Sequence, residues 1–115
     1  MSFLSSFFRY NAQKDRHEQV KVSKIIDLVC DYYGADREGV LSRSRLPLWI
    51  WPRHVAMAVA SANGFTSLTI GEVMNRERSV VSYATKSVLN QCDAYPSIEK
   101  EVREISKRVK TKIIK

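Results

Sequence analysis

The chain has 115 residues, 44% of them apolar and 27% charged, an ordinary globular composition that excludes bulk disorder. Nineteen Lys and Arg against twelve Asp and Glu leave a net charge of +7 and a pI near 9.7, which favours a polyanionic partner, nucleic acid ahead of an anionic membrane. No apolar stretch approaches the roughly 18 residues of a membrane span, and no basic residue precedes Phe3, Leu4, Phe7 and Phe8, unlike a signal peptide.

Residues 1–18 read as an N-terminal arm, helical or disordered, and 19–115 as one domain. In a helical arm, Phe3 with Phe7 and Leu4 with Phe8 form an i, i+4 stripe suited to self-association or to a protein partner. Val22, Ile25, Ile26, Val29, Tyr32 and Tyr33 share one face of a first helix. Asp36 caps a short turn ending near Leu41. Ser42 to Trp51 reads as a loop held extended by Pro47 and Pro52, with Pro52 opening a helix that ends at Asn63-Gly64. Thr66 caps Ser67 to Met74, a short break falls at Asn75, and a longer helix covers about Glu77 to Gln91 with Val81, Ala84 and Val88 inward. Pro96-Ser97 opens the last helix, where Ile98, Val102, Ile105 and Val109 make a buried stripe. No alternating run bounded by turns indicates a strand. The expected fold is all-α, about six helices with a central helix-turn-helix.

Nothing in the sequence sets up catalysis. Gly34 and Gly39 have the spacing of a phosphate loop, but Val40 and Leu41 stand where Lys and Ser/Thr would have to follow. Cys30, Cys92, His17 and His54 are isolated, so neither zinc nor a disulfide framework is expected, and both cysteines read as core hydrophobes in a reduced cytoplasm. No catalytic residue, cofactor or metal is expected.

The positive charge is concentrated. Residues 41–88 carry Arg43, Arg45, Arg53, Arg76, Arg78 and Lys86 against Glu72 and Glu77. Within them, Thr66 to Val88 has the layout of a helix-turn-helix whose second helix opens with Arg76-Glu77-Arg78-Ser79, where side chains meet base edges. Arg donates twice to guanine, a carboxylate accepts from cytosine and a hydroxyl bonds base or phosphate. Arg43, Arg45 and Arg53 lie in a stretch without acid, fit for a minor groove or for phosphates. Leu48-Trp49-Ile50-Trp51 beside them reads as a packed lid rather than a stacking platform.

These residues resemble a known family. Val22 to Val109 is similar to the C-terminal DNA-binding domain of the bacterial replication initiator DnaA. The paired-Tyr helix resembles Ile25 to Tyr33, the basic loop Val40-Leu41-Ser42-Arg43-Ser44-Arg45, and the Pro-Arg-Gln-x-Ala-Met-Ala motif Pro52-Arg53-His54-Val55-Ala56-Met57-Ala58. The Ser-x-x-x-Ile-Gly motif resembles Thr66 to Gly71, and the signature Arg-Asp-His-Thr-Thr-Val-x-His-Ala resembles Arg76 to Ala84. The resemblance implies base contacts from Glu77, Arg78 and Ser79; Arg45, two residues from the family's groove-entering position, is the loop's candidate base contact. It implies backbone contacts from Arg53, Val80 through its amide, and Tyr83, and the basic residues and imidazole around them, Arg43, His54, Arg76 and Lys86, are further candidate backbone contacts. The sequence also departs from the family. Asn75 replaces a Gly-Gly turn with one residue deleted, Arg78 replaces His, Val80 replaces Thr, and Pro47 stands where a loop Arg enters the minor groove. The expected function is sequence-specific binding of double-stranded DNA in replication initiation or its regulation, in the cytoplasm at the nucleoid, with no membrane partner. A transcriptional regulator or a protein-interaction adaptor on the same fold is the alternative.

Overall fold

The structure, a computed structural model, describes the backbone of residues 3–114 and the side chains of residues 15–114. Six helices and no strand are found among the described residues: α1 (Phe3–Tyr33), α2 (Arg37–Leu41), α3 (Pro47–Ala62), α4 (Ser67–Met74), α5 (Arg78–Ala94) and α6 (Pro96–Lys112). The segment expected as an arm continues into α1 as one helix; its Phe3, Leu4, Phe7 and Phe8 side chains lie outside the described residues.

The caps written in the sequence set most boundaries. Asp36 accepts a hydrogen bond from the Gly39 amide at the start of α2, and Thr66 accepts from the Thr69 amide at 3.2 Å at the start of α4. α5 runs three residues past its expected end, to Ala94, and the start of α3 differs more. The apolar run Leu48 to Trp51 is not loop but the first turn of α3, which begins at Pro47. Pro47 fits the N1 position, where its missing N–H would have had no partner anyway. Pro52, now inside the helix, costs one bond to the Leu48 carbonyl, and burial of Pro52 and partial burial of Trp49 and Trp51 offset it.

α3 is the axis of the domain. Val55 through Ala60 are all buried, so this stretch is covered on every side. Around it pack Val22, Ile25, Ile26 and Val29 of α1, Ile70 and Met74 of α4, Val81, Ala84 and Val88 of α5, and Ile105 and Val109 of α6. Burying each Val or Ile contributes about 1.5–3 kcal/mol. One polar junction ties three helices together. Tyr33 donates to Glu101 Oε2 at 2.5 Å, and the Trp51 indole N–H is shared between the Tyr33 hydroxyl at 3.1 Å and the same carboxylate oxygen at 3.3 Å. Burial and that carboxylate push the Tyr33 phenol well above its ordinary range. Trp49 lies over Gly39, where any Cβ would overlap the indole, so α2 and the start of α3 meet without a gap. Both tryptophans therefore pack on the helices, as a lid does. Cys30 is buried and Cys92 half-buried; burial pushes both thiols up.

Candidate nucleic-acid interface

The turn between α4 and α5 is built by three residues. Asn75 takes the left-handed conformation, φ 55° and ψ 51°, which its short polar side chain tolerates. The Arg76 amide then donates back to the Gly71 carbonyl at 2.8 Å. Gly71 sits directly beneath the Arg76 carbonyl, and a Cβ there would overlap that oxygen. Glu77, in an extended conformation, starts α5, its carbonyl accepting from the Val80 and Val81 amides at 3.0 and 3.2 Å. One residue fewer than a Gly-Gly turn thus still produces a helix-turn-helix.

This entry angle decides which side chains reach solvent. Val81, Ala84 and Val88 face inward, so Glu77, Arg78, Ser79, Val80, Ser82, Tyr83 and Lys86 are exposed at the start of α5 and along its outer face. Tyr83 is 69% exposed, its ring edge-on to His54 with centroids 6.4 Å apart. His54 is half-buried; burial, with the Arg53 charge second, holds its imidazole below the usual pKa of 6.5.

Arg43 and Arg45 are exposed on the loop between α2 and α3. No ion pair among the described residues holds Arg43, Arg45, Arg78 or Lys86. The loop is shaped from within: Ser42 Oγ donates to the Gly39 carbonyl at 2.6 Å and accepts from the Ser44 amide at 3.2 Å, and Ser44 Oγ accepts from the Leu46 amide at 3.3 Å.

Two of the expected phosphate ligands are placed differently. Arg53 is 7% exposed; its Nε donates to the Val40 carbonyl at 2.6 Å and one Nη to the Gly39 carbonyl at 3.2 Å. Arg76 spans the two parts of the face. It donates to the Met74 carbonyl at 2.9 Å on the helix-turn-helix side, and to the Leu41 carbonyl at 3.4 Å and the Ser42 carbonyl on the loop side. The turn and the basic loop therefore form one surface. Glu77, Arg78, Ser79, Val80, Tyr83 and Lys86 stand on its helix part, Arg43 and Arg45 on its loop part, and Arg53 and Arg76 beneath. The sequence does not reveal the exposed Leu46 and Leu48 at the loop's end, because an apolar run beside two tryptophans reads as core.

Comparison with known proteins agrees with this geometry. Residues 22–88 match the family described as the bacterial dnaA protein helix-turn-helix. The chromosomal replication initiator protein DnaA of Caldanaerobacter subterraneus is 29% identical over 97 residues, 84% of this chain and 22% of that protein. The chromosomal replication initiator protein DnaA 1 of Chlamydia trachomatis is 30% identical over 91 residues, 76% of this chain and 20% of that protein. The chain thus spans about a fifth of the length of these relatives. A crystal structure of a DNA replication initiation factor has the same fold, with a TM-score of 0.82 at 24% identity over 92% of this chain and 33% of that one.

Proposed function

The chain belongs to the bacterial DnaA helix-turn-helix family, and from that membership we propose that it binds double-stranded DNA sequence-specifically, in the initiation of replication or its control. The observation that carries the proposal is the continuous basic face formed by the start of α5 and the 42–46 loop, joined by Arg76. Arg78, Glu77 and Ser79 lie in the major groove and read base edges. Arg45 enters the adjacent minor groove. Arg43, Lys86, the Tyr83 hydroxyl, His54 and the Val80 amide hold phosphates. Arg53 and Arg76 act one layer below, fixing the carbonyls of residues 39–42 and 74.

Relative to the family's signature, Arg78 and Val80 replace a His and a Thr, so the preferred sequence differs from the family's standard box. The exposed groups of this face are ones that bond base edges and phosphates, and the function is recognition rather than chemistry.

Selection of bound duplexes from a random pool at physiological salt tests the reading. An enriched motif is expected, bound with an affinity that falls on a log–log salt plot by about 0.9 per phosphate neutralised. A pool that shows no enrichment, with a salt slope near zero, overturns it. A protein-interaction adaptor would give that second result.

A further inference from the structure

Leu46 and Leu48 are 52% and 66% exposed, at the point where the loop turns into α3. Exposed leucines are ordinary when scattered; these two are not. They flank exposed Pro47 and follow directly on Arg45, within a stretch that carries three arginines and no acid from residue 41 to residue 54. Their backbone is rigid. The Ser42 and Ser44 hydroxyls lock the loop, Pro47 fixes its own φ, and the Leu46 carbonyl caps α3 by accepting from the Trp49 and Ile50 amides at 2.9 and 3.1 Å. Arg76 then holds the start of this loop, through the Leu41 and Ser42 carbonyls, against the helix-turn-helix.

Such a site suits one occupant. A protein partner would have to be acidic around an apolar centre, whereas duplex DNA supplies both at once, phosphates for the arginines beside the leucines and apolar base faces for the leucines themselves. Apolar side chains presented rigidly beside a groove-binding arginine act as wedges, partly unstacking a base step from the minor-groove side.

We propose that Leu46 and Leu48 form an apolar wedge which, with Arg45 in the minor groove, opens one base step beside the sequence read by α5. This rests on the DNA-binding function proposed above. The wedge adds indirect readout: steps that unstack easily, pyrimidine–purine above all, are favoured at a position that no side chain reads by hydrogen bonding.

The test uses the full chain and the duplex selected from the random pool, with a single mismatch moved along it one base pair at a time. A mismatch lowers the cost of unstacking at its own position. For the native protein, one or two adjacent positions on the loop side of the motif should bind several-fold tighter when mismatched. Leu46→Ala/Leu48→Ala should lose that tightening, and Leu46→Met/Leu48→Met, still apolar and long, should keep it. Saturable binding with no position of tightening, or tightening that survives in the Ala variant, overturns the wedge and leaves DNA binding intact. Loss of the tightening in the Ala and Met variants alike also overturns the wedge. Absence of saturable binding to any selected duplex overturns both proposals.

Discussion

Arg78 and Lys86 are both exposed bases on α5, yet they should fail differently when removed. Arg78 stands at the first residue of the helix, where its planar fork matches guanine O6 and N7. Arg78→Ala should weaken the preferred duplex about ten- to a hundredfold, the equivalent of about 1–3 kcal/mol, and random duplex much less. Lys86 lies about two turns further along and should contribute to both equally. Competition binding on the two duplexes separates these outcomes; equal losses for Arg78→Ala would make it a phosphate clamp. His54 responds to pH. Its folded-state pKa lies below 6.5, so the stability it contributes is complete above 6.5 and falls as the pH drops toward the lowered value. A phosphate beside it favours the protonated ring, so DNA affinity should rise through the same window. Thermal melts and binding titrations between pH 7.5 and pH 5 should show both trends, and His54→Gln should flatten both.

At the scale of elements, what was legible in the sequence follows from how local each cause is. Asp36 and Thr66 cap their own helices, so α2 and α4 were readable to the residue. Asn75 marked the break because a left-handed residue ends a helix without help from the rest of the fold. The start of α3 was not readable. Two prolines five residues apart argue locally for an extended chain, and only packing of Trp49 on Gly39 and Trp51 on Tyr33 makes a helix the better choice. The site divides in the same way. The outward residues of α5 follow from its inward stripe, whereas the roles of Arg53 and Arg76 depend on main-chain carbonyls of distant residues, which leave no trace in residue type. Gly71 tests the turn. In an ordinary helix, Gly→Ala gains about 0.8–1 kcal/mol in helix propensity. Here the added methyl meets a main-chain oxygen that cannot rotate away, and overpacking of this kind costs about 1–3 kcal/mol. Gly71→Ala should therefore be destabilising in urea titrations and should weaken DNA binding further by tilting α5.

For the whole molecule, Val22 is the first buried apolar residue among those whose side chains are described, and it packs with Ile25, Ile26 and Val29 into the core. Gln19 donates to Glu72 at 2.7 Å, a bond that survives removal of everything before it. Deleting residues 1–18 should leave a single cooperative thermal transition close to that of the full chain; loss of cooperativity would place those residues in the core. The Arg76 bridge has a consequence at this scale too. The parts it joins, the α5 end proposed to read bases and the loop proposed to enter the neighbouring groove, are tied to each other through the Leu41, Ser42 and Met74 carbonyls. DNA advances about 3.4 Å per base pair and turns by roughly 34–36° with each, at 10–10.5 base pairs per turn. On the proposed mode of binding, two prongs tied in this way make a caliper: they should measure the interval between their two points of contact, and a site one base pair too long should bind weakly even when every base touched is right.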